Sequence, residues 1–200
     1  MTCCNVGIDQ AACALKRGEA VIFPTDTVYG VGVSVRHAAT PEILFDLKQR
    51  DRGKPVAWLV GSLADLARYG ADVPAFASAL ARAFWPGALT LIVRASDEVP
   101  SAFRSEAGTI GLRMPADTAA LDLLGKVGCP LATTSANASG ARPPRSSDEV
   151  DPAFAAAVGC MVADGAPRSG TASTILDCTG DHPVVVREGD VTIADIRAMG

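Results

Sequence analysis

A chain of 200 residues, 48% hydrophobic and 20% charged, is long enough for one domain with a substantial core and short for two; its balance is that of a globular protein, not a disordered one. No run approaches the roughly 20 apolar residues that span a bilayer, and the start MTCCNVGIDQ has no basic stretch leading into an apolar one, so a cytoplasmic protein without membrane attachment is expected. The net charge of −4 excludes a surface that collects nucleic-acid backbone as a whole, so any polyanion has to bind at a local basic cluster.

Hydrophobic periodicity and turn residues predict the elements in order. A helix over 8–16 is closed by Gly18, and strands follow at 20–23 and 31–35. A helix over 41–49 starts behind the N-cap candidate Thr40, a strand covers 56–60, and helices cover 63–69, behind Ser62, and 75–84. Strands at 89–93 and 109–112, a helix over 118–127, a strand at 131–134 and a helix over 148–158 come next. Strands at 160–163, 174–178 and 184–187 and a helix over 193–199 complete the chain. Nine strands that do not alternate strictly with helices imply an α/β fold with a mixed sheet and packed helices. Gly and Pro are spread evenly and nothing repeats, so residues 1–200 read as a single domain with a motif-bearing core of about 8–190.

The six cysteines, Cys3, Cys4, Cys13, Cys129, Cys160 and Cys178, form no C-x-x-C pair and no zinc-finger spacing with histidine, which speaks against structural zinc or a disulfide framework. Cys129, Cys160 and Cys178 lie in apolar runs and are expected as buried small hydrophobes, leaving only Cys3 and Cys4 for the surface.

Five segments could carry chemistry. Phe23 to Gly30 (FPTDTVYG) is a polar loop between two apolar strands; its hydroxyls, carboxylate and phenol suit a small polar ligand, or an Asp/Thr turn that satisfies its own backbone. Lys48 to Pro55 (KQRDRGKP) holds four cations in seven residues at a predicted helix end, solvated or, if extended, with Lys48, Arg50, Arg52 and Lys54 converging on phosphates. Gly108 to Pro115 ends in Arg113, which the following Met-Pro stiffens and which could fork onto a carboxylate or face solvent from an edge strand. Thr133 to Gly140 (TTSANASG) is a string of small polar residues that lets a ligand approach the backbone, or is a turn before Pro143-Pro144. Ser173-Thr174 opens one strand and Arg187 closes another before Gly189. The P-loop, dinucleotide and hydrolase-elbow signatures are missing from the sequence, and the two histidines, His37 and His182, sit in polar contexts that favour solvation over catalysis.

Taken in order, these segments resemble the YrdC/TsaC family of threonylcarbamoyl-AMP synthases, with counterparts of P-T-[DE]-T-x-Y-G, K-x-R-x-x-x-[KN]-P, W-P-G-x-x-T, [LV]-R-x-P, T-S-A-N-x-S-G and S-T running from Phe23 to Arg187. The resemblance implies a twisted mixed sheet around a deep basic cavity. It places Thr27, Arg113, Thr133 and Ser173 at L-threonine, with Arg113 on its carboxylate, and Lys48, Arg50 and Lys54 at phosphates, Lys48 and Arg50 being the catalytic candidates. ATP contacts extend to Thr109, Ser135, Asn137, Pro143 and Arg187, and Trp85-Pro86-Gly87 supports the cavity. Asp51 departs from the family pattern, which commonly has Pro there, and the ending near Gly200 resembles the short form without a C-terminal domain. The activity implied is synthesis of threonylcarbamoyl-AMP and pyrophosphate from L-threonine, bicarbonate and ATP, for N6-threonylcarbamoyladenosine in tRNA. Mg2+ would accompany ATP with no protein side chains as metal ligands, a downstream threonylcarbamoyl-transferase complex would take the product, and room is left for contact with tRNA. The alternatives are a non-catalytic RNA-binding module and the carbamoyl-transfer module of hydrogenase maturation proteins.

Overall fold

The computed structural model describes residues 3–48 and 56–198. Their helices are α1 (Ile8–Lys16), α2 (Glu42–Lys48), α3 (Ala64–Tyr69), α4 (Ala75–Phe84), α5 (Thr118–Val127), α6 (Pro152–Val158) and α7 (Ile193–Arg197). The strands are β1 (Cys4–Asn5), β2 (Val21–Phe23), β3 (Gly30–Ser34), β4 (Ala57–Leu59), β5 (Gly70–Ala71), β6 (Leu89–Ala95), β7 (Thr109–Arg113), β8 (Leu131–Ser135), β9 (Cys160–Met161), β10 (Thr174–Asp177) and β11 (Val184–Arg187). All eleven belong to one mixed sheet in the order β1-β9-β2-β3-β8-β4-β7-β6-β10-β11, with β5 paired to β6 off that path.

Local chemistry explains most boundaries. Asp117 caps α5 by accepting from Ala120 N at 2.9 Å, and Gly128, at φ 74°, ends it. Three expectations need correction. The helix expected over 148–158 splits into a 3-10 turn at Ser147–Glu149 and α6, because Pro152 drives Asp151 out of the helical region (φ −53°, ψ 127°) and starts a new helix behind it. Ser62 does not cap α3; instead Asp65 Oδ2 accepts from Gly61 N, Ser62 N and Ser62 Oγ at 3.0 to 3.1 Å. Cys13 is exposed, on the polar side of α1, while Cys129 and Cys160 are only half-buried. Positions 49 and 199, where two expected helices end, lie outside the described residues.

Two cores sandwich the sheet. Residues of α2, α4 and α6, among them Leu44, Leu80 and Phe154, share one buried cluster with Val31, Trp58, Leu91 and Leu112. On the other face α1 and α5 bury Leu15, Leu123 and Leu124 against Phe23, Leu59 and Leu131. Partners in register project to the same face of a sheet, so Phe23, Gly30 and Ser135 share this second face with Gly32, Thr133 and Ala57, and Leu59 with Arg113. Across the same face Thr90, Ile175 and Arg187 continue the row.

Candidate functional site

Where α1 and α5 stop covering the second face, a hollow of about 370 Å3 opens, within the range of about 300–1,000 Å3 usual for small-molecule sites. Small residues keep it open: Gly30, Gly32, Ala57 and Gly111 stand on this face of the central strands. A Cβ on Gly32 would lie 2.8 Å from Thr133 Oγ1 and 3.0 Å from the Phe23 ring, so glycine there is what allows Thr133 to stand in the wall.

At one end Arg113, 6% exposed at the end of β7, is aimed by three acceptors: Gly87 O takes Nε at 3.0 Å, Thr27 Oγ1 takes Nη1 at 3.0 Å and Asp26 Oδ1 takes Nη2 at 2.6 Å. Gly87 reaches that post because it has no side chain; a Cβ would lie 2.4 Å from Phe84 O. Its own amide donates to Met114 O at 2.8 Å, so the Trp85-Pro86-Gly87 loop and the end of β7 hold each other. Thr25 fixes the opposite loop through Val28 O at 2.7 Å and a 3.0 Å contact with Thr27 Oγ1. Thr133 Oγ1 donates to Leu131 O at 3.0 Å, and Ser173 Oγ lies 2.9 Å from Thr90 Oγ1. Arg187 Nη2 donates to Ser173 O at 2.7 Å. Burial pushes the Arg187 guanidinium below its ordinary value, and the charge of Arg113 pushes the same way. Two arginines that repel each other beside buried hydroxyls make a seat for an anion.

At the other end the loop after β8 turns on Asn137, whose amide donates to Ala138 O and Ala141 O, each at 2.8 Å. Lys48 Nζ donates to Ser135 O at 2.8 Å and to Asn137 O at 2.6 Å. Lys48 lines the cavity and is helical, the last described residue of α2, so the expectation of an extended stretch does not hold at its first residue. Its ammonium holds carbonyls of the cavity wall at the end where phosphates are expected. Arg50, Asp51, Arg52 and Lys54 lie outside the described residues.

The cavity thus brings together Thr27, Arg113, Thr133 and Ser173 with Lys48, Ser135, Asn137, Pro143 and Arg187. Thr109 is not among the lining of the described part: this residue starts β7, four positions before Arg113, and contacts Ser105 Oγ at 2.7 Å. At about 3.3 Å per residue it shares the face of Arg113 but sits roughly 13 Å away along the strand. Asp26 and Thr90 were not singled out from the sequence as site residues, although both stand inside quoted motifs. Asp26 needed only the pairing of its carboxylate with Arg113 to be recognised, and Thr90 the last letter of W-P-G-x-x-T.

Fold and cavity together define a class: a mixed-sheet α/β protein with a polar, cationic pocket of small-molecule size on one sheet face. The chain belongs to the Sua5/YciO/YrdC family, whose model, described as telomere recombination, matches residues 13–189. A protein of Mycobacterium tuberculosis is 38% identical over 193 residues, 96% of this chain and 88% of its own length. A Bacillus subtilis protein named threonylcarbamoyl-AMP synthase is 34% identical over 194 residues, 96% of this chain and 56% of its own. The crystal structure of Pyrococcus abyssi Sua5 complexed with L-threonine matches with a TM-score of 0.90 at 34% identity, covering 96% of this chain and 56% of that one. The chain therefore spans most of the mycobacterial relative and little more than half of the other two.

Proposed function

We propose that this chain is an L-threonylcarbamoyladenylate synthase, a nucleotidyltransferase that makes threonylcarbamoyl-AMP and pyrophosphate from L-threonine, bicarbonate and ATP for N6-threonylcarbamoyladenosine in tRNA. The observation that carries the reading is the convergence of Arg113, Arg187 and the hydroxyls of Thr27, Thr133 and Ser173 on one hollow that continues to Ser135 and Asn137. Membership of a family with relatives named for that activity, and a relative solved with L-threonine, support it.

The chemistry suits these residue types. The amine of threonine takes up CO2 from bicarbonate to give a carbamate, whose oxygen attacks the α-phosphorus of ATP and expels pyrophosphate. No covalent nucleophile is required of the protein; orientation and stabilisation of phosphate charge are. Arg113 takes the amino-acid carboxylate, Thr27, Thr133 and Ser173 take its polar groups, and Ser135, Asn137 and Pro143 border the nucleotide. By analogy with the family Arg50 and Lys54 are assigned to the phosphates, and Mg2+ bound with ATP would neutralise charge there. The cations of the lining, Lys48, Arg113 and Arg187, suit an anionic ligand such as ATP, with which the ion would arrive. A cytoplasmic location is proposed with this pathway; no helix among the described residues is long and apolar enough to cross a membrane. The product passes to a threonylcarbamoyl-transferase complex, with or without direct contact between this chain and tRNA.

Mass spectrometry after mixing the protein with L-threonine, bicarbonate, ATP and Mg2+ tests the reading. The adenylate and threonine-dependent pyrophosphate release are expected without RNA; their failure to form removes the assignment. Arg50→Ala should slow the reaction on the order of 10²-fold, as loss of a transition-state donor does.

A further inference from the structure

Arg168 lies between β9 and β10 in a segment that no motif marks, yet only 11% of its side chain is exposed. Its Nη2 lies 3.3 Å from Asp117 Oδ2 and also pairs with Asp164 Oδ2. The guanidinium stands 5.8 Å from the centroid of the Tyr29 ring, whose hydroxyl donates to Asp164 Oδ1 at 3.2 Å. Backbone bonds stitch the same segment down: Arg168 N donates to Arg145 O at 2.8 Å and Gly170 N to Thr27 O at 2.9 Å. The side-chain partners of Arg168 therefore belong to the loop before β3, the cap of α5 and its own segment, which runs on to Ser173, while its backbone ties that segment to Arg145 in the loop after β8.

The charges behind Arg113 give this contact a purpose. Asp26 pairs with Arg113 and accepts from Ala116 N at 3.1 Å, one residue before Asp117. Burial raises the Asp117 carboxyl and the charges of Asp164 and Asp26 add to the rise, while the Ala120 N–H and Arg168 oppose it. Three carboxylates, Asp26, Asp117 and Asp164, thus stand close enough to act on one another, and Arg168 pairs with the two that Arg113 does not.

We propose that Arg168 is a positioning residue for the amino-acid substrate. By neutralising Asp117 and Asp164 it leaves the field of Arg113 to the substrate carboxylate, and by clamping residues 163–172 onto Tyr29 and Thr27 it fixes the hydroxyls that receive the rest of the molecule. The inference rests on the reading of this cavity as an L-threonine site. Without the guanidinium, Asp117 and Asp164 lose their cation and repel an incoming carboxylate, while the Lys48 contacts at the nucleotide end and the backbone bond of residue 168 to Arg145 O do not depend on that side chain.

Calorimetric titration with L-threonine and steady-state kinetics test it. Arg168→Gln should raise the Kd and KM for L-threonine about tenfold or more while the KM for ATP stays within about twofold. Arg168→Lys, which keeps the charge and loses the fork, should give a smaller selective rise of about threefold. Equal changes in both KM values, or none in the Gln variant, overturn the proposal. Should circular dichroism find the Gln variant unfolded, the Lys variant decides alone: a selective rise supports the proposal, and unchanged or parallel constants overturn it. Wild-type protein that does not bind L-threonine overturns the parent reading, and that titration stands apart from any comparison of variants.

Discussion

Arg113 commits three of its five N–H groups to Gly87 O, Thr27 Oγ1 and Asp26 Oδ1, so it meets a ligand already aimed and holds two donors for a carboxylate. Its Nη2–Asp26 bond is charge-assisted and largely out of water, the side chains being 7% and 17% exposed. Lysine could neither satisfy those acceptors from one nitrogen nor present a fork. Arg113→Lys is therefore expected to lower kcat/KM for L-threonine on the order of 10²-fold, with the KM for ATP moving less. Initial rates with threonine varied at saturating ATP measure this, and a loss shared equally by both substrates would argue that the residue serves the whole fold. Ser173 belongs to the same tier: its hydroxyl faces Thr90 while its carbonyl holds Arg187, so one residue ties the hydroxyl set to the second cation.

The elements that build the nucleotide end depend on contacts far apart in sequence. Lys48 reaches the carbonyls of Ser135 and Asn137 across 87 and 89 residues. Lys48→Met leaves those carbonyls without their donor, at about 1–3 kcal/mol for a buried unsatisfied group, partly offset by removal of a buried charge. A net loss of about 2 kcal/mol in urea unfolding is expected, together with a rise in the KM for ATP larger than that for L-threonine. A stable variant with an unchanged KM for ATP would show that the loop holds itself. This range of contact marks the limit of what the sequence discloses. The spans of α1, α4 and α5 are readable because their stops are local: Gly18, the Trp85-Pro86 break, Asp117 and Gly128 act within a turn. The two-residue β1 and β5 are not, since only pairing with β9 and β6 makes them strands. Most residues of the cavity are legible by motif, whereas the distance of Thr109 from Arg113 along β7 is not, because a motif gives an order of residues and not the rung of the sheet at which a hollow opens. Asp26, Lys48 and Arg168 owe their roles to partners that spacing along the chain cannot reveal.

At the scale of the molecule, one sheet does two jobs: one face and the ends of the other are packed with apolar side chains, and the middle of that second face is left open to a polar hollow. The packed part has to be rigid for the open part to keep its shape, and Cys178 reports on it. This residue follows β10, is fully buried in the larger core, and donates its amide to Ile92 O at 2.8 Å. Burial, with a smaller push from Asp177, raises its thiol from 9.0 to about 12. An acid whose folded value lies above its unfolded one stays protonated in the native state while the unfolded chain gives up the proton. Stability therefore falls as pH rises from about 9 towards 12, by up to about 1.4 kcal/mol per pH unit for one thiol. Cys178→Ala removes this slope and leaves a packing loss that does not change with pH. The difference in unfolding free energy between wild type and Cys178→Ala, from urea melts at pH 7.5 and pH 10, should shrink by about 1 kcal/mol at the higher pH. The thiols of Cys3 and Cys160, also raised by burial, titrate in both proteins and cancel in that difference. A difference that stays constant would mean that water reaches Cys178, and with it the interior that holds β10 and Ser173 in place.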